Sequence, residues 1–276
     1  MSKKTKSSKK SKRWKSLLTQ SPGQTDAWLR SAGDLMLQQD YAGAVEIYER
    51  LLNYLPQRSP QRVDVLANLG AAQAMQQNFP QSYEALTEAL SIQPNSADLW
   101  YNRGLACRFT GRTGQSLRDY ERAVELNKDD KMTREFNEEL KFSRKLAEKS
   151  LKLRGRDFTL DQLIEQENYF QRGLKCMENG QWEEAEEAFH RTIAMGDCLP
   201  QPWGNLGGCL IIQGRYDEAE AALKRALEID PRYTIAKKNL ADLPEMRRKG
   251  GPQLFGIRDP YKEMNLKKSI TFLREE

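Results

Sequence analysis

QENYFQRGLKCMENGQWEEAEEAFHRTIAMGDCL (166–199) runs directly into PQPWGNLGGCLIIQGRYDEAEAALKRALEIDPRY (200–233). Shifted by 34 residues, the first stretch falls on the second: Tyr169 on Trp203, Gly173 on Gly207, Gly180 on Gly214, Trp182 on Tyr216, Ala185 on Ala219 and Phe189 on Leu223. A fixed period of this size marks stacked supersecondary units. Each unit carries two helical segments. In 217–229 the apolar residues Ala219, Ala222, Leu223, Ala226, Leu227 and Ile229 recur at three- and four-residue spacing. Gly207 and Ala219 have little or no side chain, so paired helices can approach closely. Gly180 and Gly214 stand where a first helix ends in a left-handed residue. Pro231 follows the second helix, which it could not continue. One such hairpin cannot bury its own apolar face, so neighbours must stack on it.

The run Trp203-Gly204-Asn205-Leu206-Gly207, with Ala219, Leu223, Ala226 and Pro231, resembles the tetratricopeptide repeat. The resemblance implies an all-α fold, a right-handed superhelical solenoid of antiparallel helix pairs. The same frame recurs upstream. A first array is expected over 25–130, with repeats at 25–58, 63–96 and 97–130. Trp28, Ala32, Tyr41, Ala44, Tyr48 and Pro56 mark the first; Leu66, Leu69, Gly70, Phe79, Leu86, Ala89 and Pro94 the second; Trp100, Gly104, Gly111, Tyr120 and Ala123 the third. The third has Lys128 in place of the closing proline, which leaves its second helix free to run on. Residues 131–165 fill one repeat slot without the repeat's residues, with a charged capping or connecting helix and a break over 131–158. Met132, Phe136, Leu140, Ser143, Ala147 and Leu151 form a stripe at helical spacing there. This reads as a charged helix that caps the first array, or as a degenerate repeat, ending at Arg154-Gly155-Arg156. Thr159 and Gln162 then make a capping box, with Phe158 and Leu163 as its staple. A second array is expected over 159–233, with repeats at 166–199 and 200–233. A capping helix over 234–248 and a C-terminal tail over 249–276 follow. The tail's apolar points, among them Leu254, Phe255, Ile257 and Tyr261, suit either folding back on the array or binding a partner.

Residues 1–24 hold Lys3, Lys4, Lys6, Lys9, Lys10, Lys12, Arg13 and Lys15 and no acid. The chain's formal charge is +5, so with these eight set aside the remainder carries −3. The basic character thus belongs to the tail, whose composition predicts disorder. The tail is either a solubilising segment or a contact for a polyanion, such as nucleic acid, a ribosome or an anionic surface. No apolar run is long enough to span a bilayer.

The pattern excludes most chemistry. No phosphate-binding Gly-x-x-x-x-Gly-Lys motif occurs, and Gly204, Gly207 and Gly208 lie inside a repeat helix. The single histidine, His190, falls on the outer side of a second helix. Glu183, Glu184, Glu186 and Glu187 read as a solvated face. Cys107, Cys176, Cys198 and Cys209 form no Cys-x-x-Cys pair. No metal, cofactor or catalytic set is therefore expected, and reduced thiols suit a cytoplasmic protein.

What the resemblance implies is peptide binding on the inner faces of the first helices. Asn68, Asn102 and Asn205 share the sixth repeat position, with Gln171 there in the fourth repeat. Amides donate and accept, so a row of them can pair with an extended backbone. Tyr101, Phe170 and apolar neighbours supply a floor, Arg108 a cation, and Asp26, Asp64, Asp98 and Glu167 an acidic rim. Leu29, Gly33, Ala67, Ala71, Tyr101 and Leu105 occupy the positions where some relatives place Lys and Asn to clamp a terminal carboxylate. An extended apolar or mixed peptide is expected instead. The function that follows is a non-enzymatic adaptor binding a protein or peptide; the alternative is a nucleic-acid- or ribosome-associated factor acting through the basic tail.

Overall fold

The computed structural model describes residues 25–249, which form twelve helices and no strand. The basic tail and the C-terminal stretch from Gly250 onward lie outside the described residues. The chain divides into two compact units, one closing at Lys152 and the other opening at Leu153.

The first unit holds three helical hairpins: α1 (Thr25–Leu37) with α2 (Tyr41–Leu52), α3 (Pro60–Met75) with α4 (Phe79–Ile92), and α5 (Ala97–Phe109) with α6 (Thr113–Leu126). Helix α7 (Asp130–Arg154) follows. Side-chain chemistry sets where several helices begin. Asp40, Ser59 and Ser96 each accept a backbone N–H of the first turn, from Gly43, Arg62 and Leu99. The core gathers one face of each of α1 to α4 and reaches Leu99 of α5, and includes Trp28, Ala32, Ile47, Leu51, Leu66, Leu69, Leu86 and Ala89. Burial of this kind, rather than helix propensity, holds short helices in place.

Two features differ from the expectation. Helix α6 does not run on. It stops at Leu126 because Asn127 turns extended (ψ 126°). The Asn127 side chain then accepts from the Asp129 N–H at 3.0 Å and donates to Thr133 Oγ1 at 3.0 Å, which restarts the chain as α7. The turn inside each hairpin does place one residue in the left-handed region. Gly180 and Gly214 do so at φ 72° and 76°, but Gln39 and Gln77 do so at φ 60° and 64°. A non-glycine residue pays roughly 1 kcal/mol for that conformation, so the first two hairpins accept a cost that glycine would remove.

Helix α7 occupies the slot of a fourth first helix. Phe136, Ser143 and Ala147 are buried, and Phe136 stacks on Tyr101 with ring centroids 4.5 Å apart. Ser143 Oγ donates to Ser116 Oγ at 3.1 Å, and Thr113 Oγ1 donates to Ser150 Oγ at 3.0 Å.

The second unit holds α8 (Leu160–Glu178) with α9 (Trp182–Met195), α10 (Pro200–Ile212) with α11 (Tyr216–Ile229), and α12 (Thr234–Lys249). The capping box at Thr159 and Gln162 forms. Its core joins Phe189, Leu206, Cys209, Leu210, Leu223 and Ala226 to Ala236 and Leu243 of α12. Gln166, 1% exposed, fastens α8 to α9 by donating to the carbonyls of Thr192 (3.0 Å) and Gly196 (3.2 Å). All four cysteines are free thiols, and burial pushes Cys209 up to about 12, which removes it as a nucleophile at neutral pH.

Candidate interaction surface

Helical spacing puts one set of side chains on the less buried face of each first helix, where Leu29, Met36 and Ala67 still border the core. On α1 this set is Asp26, Leu29, Gly33, Met36 and Leu37; on α3 it is Asp64, Ala67, Asn68, Ala71, Ala74 and Met75. On α5 it is Asp98, Tyr101, Asn102, Leu105, Arg108 and Phe109. The burial pattern agrees, since none of these is buried while Trp28, Leu66, Leu69 and Cys107 on the opposite sides are. Leu37 is 87% exposed and Met75 57% exposed, unusual for large apolar side chains. A Cβ added at Gly33 would meet nothing within 4 Å, so the space beside it is open.

The expected binding residues fall into different surroundings. Asn68 is exposed, and its amide donates to the Asp64 carbonyl of its own helix at 2.9 Å. Asn102 is half-buried. Tyr101 is held rather than open: its hydroxyl donates to Glu135 Oε1 at 2.8 Å. Burial, then Glu135 beside it, drives that hydroxyl well above the ordinary tyrosine value. Arg108, the expected cation, is already paired with Glu139 of α7 and lies over the rings of Phe109 and Phe142. Its charge is therefore spent inside the unit. In the second unit, Phe170 and Gln171 are half-buried, and Phe170 packs against the core 5.9 Å from Phe189. Asn205 departs from the expectation of an accessible amide. It is 3% exposed, with Nδ2 lacking a hydrogen-bond partner, so it faces the packing and not a groove. The basic residues Lys3 to Lys15 lie outside the described residues.

Charge is unevenly spread. Asp26, Asp64 and Asp98 are exposed on the first turns of α1, α3 and α5 and join none of the ion pairs among the described residues. Arg30 is exposed one turn after Asp26. A buried pair lies elsewhere in the same unit. Arg103 Nε and Nη2 donate to both oxygens of Asp119 at 2.8 and 2.7 Å, and the Asp119 side chain is fully buried. Gln115 donates to Asp119 Oδ1 at 2.7 Å, and Arg103 lies 4.7 Å over the Trp100 ring. The signal was present. Arg103 stands where the second and fifth repeats have Leu69 and Leu206, and Asp119 where they have Ala85 and Ala222.

The acidic face of α9 also differs from a simple solvated one. Glu186 accepts from Gln213 Nε2 at 2.9 Å and from Arg215 Nη1 at 2.7 Å, while exposed His190 lies 3.6 Å away. Burial alone would raise the Glu186 carboxyl. The hydrogen bonds from Gln213 and Arg215 outweigh it and hold the group below its ordinary value of 4.5. A depressed folded value gives stability that is present above pH 4.5 and lost as pH falls further. The thermal midpoint should therefore drop more steeply between about pH 5 and about pH 3 than it does in Arg215→Gln. Parallel pH curves for the two proteins would contradict this.

Among the described residues no helix is long and apolar enough to cross a membrane, and no cluster of three His, Cys, Asp or Glu side chains is placed to hold a metal.

Comparison with known proteins agrees with the geometry. Tetratricopeptide repeat profiles match residues 26–57, 97–130 and 200–233. Protein O-mannosyl-transferase TMTC1 of Mus musculus is 31% identical over 102 residues, covering 37% of this chain and 10% of its own length. The chain thus spans about a tenth of that relative. An uncharacterised protein of Methanocaldococcus jannaschii is 32% identical over 76 residues, covering 28% of this chain and 88% of its own. Among solved structures, the P58(IPK) TPR domain aligns at TM-score 0.44 and 11% identity, covering 81% of this chain and 65% of the other. With three profile matches set on hairpins whose core and turn positions recur in one frame, the chain belongs to the tetratricopeptide repeat family.

Proposed function

We infer that this chain is a non-enzymatic adaptor that holds a peptide or protein partner on the less buried faces of its first helices. One observation carries the reading: large apolar side chains, Leu37 and Met75, stand exposed beside amides and small residues on those faces. Exposed apolar side chains gathered on one face mark interaction sites. Arg108 is neutralised by Glu139, which favours an extended apolar or mixed segment over a terminal carboxylate. The likeness to the mannosyl-transferase covers a tenth of that enzyme, and no catalysis is carried over from it.

The triple variant Asn68→Ala, Asn102→Ala, Met75→Glu should weaken capture of a protein partner at least about tenfold, the usual scale for losing one anchor and its neighbours. All three residues are at most half-buried, so helical circular dichroism should not change. Undiminished capture by the folded variant would overturn the assignment.

A further inference from the structure

Helix α7 carries its charges unevenly. Its first half mixes signs, and Arg134 Nε donates to Glu138 Oε1 at 2.8 Å one turn on. Its second half does not. Lys141, Lys145, Lys149 and Lys152 are exposed and fall within about 80° of one another around the helix axis. That arc lies on the side opposite Phe136, Ser143 and Ala147, the buried residues of the helix. None of the four lysines joins an ion pair among the described residues. Arg144 flanks the arc with a long contact of 3.5 Å to Glu121. Glu148 is the single acid from 141 to 152.

Two ordinary causes do not account for this stripe. Cations suit the last turn of a helix, but that effect fades within a turn. Lys141 stands about three and a half turns before the end at Arg154. An exposed helical face also tends to offset each charge with its opposite one turn away. Lys224 with Glu220 and Arg191 with Glu187 do so elsewhere in the chain. In α7, Lys141 with Lys145 and Lys145 with Lys149 are like charges at that spacing, which destabilises the helix. A repulsion kept along one solvent-facing side calls for a counter-charge from outside the chain.

We propose that the outward face of α7 between Lys141 and Lys152 binds the phosphate backbone of a duplex nucleic acid. The stripe is straight and about 16 Å long. Over that axial length one strand of a duplex presents about five phosphates. Lysine meets phosphate as a point charge on a flexible stem and reads no base there. The arc holds only charged side chains, so nothing on it stacks on a base or anchors in a bilayer. Contact is therefore with the backbone and independent of base sequence. The site is separate from the faces of the first helices and does not depend on their role.

Equilibrium binding of the full chain to two labelled DNA duplexes of unrelated sequence tests the proposal. Both duplexes should bind equally well. The quadruple variant Lys141→Gln, Lys145→Gln, Lys149→Gln, Lys152→Gln should bind at least about tenfold more weakly at ~0.1 M salt. Its plot of log affinity against log salt should be shallower by about 3–4, since each phosphate contact contributes about 0.9. The matching variant Lys141→Arg, Lys145→Arg, Lys149→Arg, Lys152→Arg should keep the wild-type slope. All four positions are exposed and glutamine is a good helix former, so circular dichroism should not change. The eight cations of residues 1–24 can also meet phosphates, so a third chain carries glutamine at each of them. That chain should keep a salt-dependent affinity that vanishes when the α7 lysines are changed as well. No duplex binding at low salt overturns the proposal, and so does an unchanged slope in the α7 glutamine variant. Vesicles of phosphatidylserine and phosphatidylcholine, at matched phosphate, should bind more weakly than the duplexes. Tighter vesicle binding that depends on the four lysines would assign the face to a lipid surface instead.

Discussion

Asp119→Ala is expected to cost the first unit about 3–5 kcal/mol in urea unfolding, the scale for stranding one member of a buried ion pair. Asp119 is fully buried and holds Arg103 with both oxygens; its loss leaves a guanidinium without its counter-charge under Tyr83 and Trp100. Burial by itself opposes that charge, and the hydrogen bonds that Arg103 donates to Asp119 more than offset it, so that Arg103 holds its proton even more firmly than usual. The double variant Arg103→Leu, Asp119→Ala should recover most of the loss or exceed the wild type. It installs the pair that the second and fifth repeats use, Leu69 with Ala85 and Leu206 with Ala222. Replacing a buried pair by packed apolar residues is often neutral or stabilising. A double variant as unstable as the single one would show that the pair is doing more than filling its rung.

Gly173→Ala should be nearly as harmful to the second unit, costing about 3 kcal/mol through overpacking. A Cβ there would lie 2.6 Å from Phe189 Cε1 and 2.8 Å from Cζ, and Phe189 is completely buried. The ring has nowhere to retreat, so the hairpin must splay. The same substitution at Gly33 has the opposite expectation, a gain of about 0.5–1 kcal/mol from better helix propensity, because its Cβ meets nothing. Thermal melts of both variants decide the matter, and equal shifts in one direction would refute the packing account.

These two glycines illustrate what a single sequence discloses. The period was legible because Gly173, Gly207, Trp182 and Tyr216 sit at interfaces whose geometry repeats, so their residue types repeat with it. The candidate face was less legible. Asn68 and Asn205 share a repeat position, yet one is exposed and the other buried. Repeat numbering fixes the direction of a side chain on its helix but not what the next element lays over it. Arg108 shows the same limit. Its partner Glu139 comes from α7, a helix without the repeat's signature residues, so no frame aligned the two. Gln39 and Gln77 escaped because the left-handed turn is imposed by the hairpin, whichever residue stands there.

The Arg103–Asp119 pair also constrains how this gene can be rearranged. Repeat arrays grow and shuffle by crossover, and a breakpoint inside a hairpin is harmless where both sides of the joint carry interchangeable aliphatic residues. Between residues 103 and 119 that freedom is gone. A chimera joined at the Gly111 turn would inherit one charge without the other, so this hairpin can be duplicated or exchanged only as a whole.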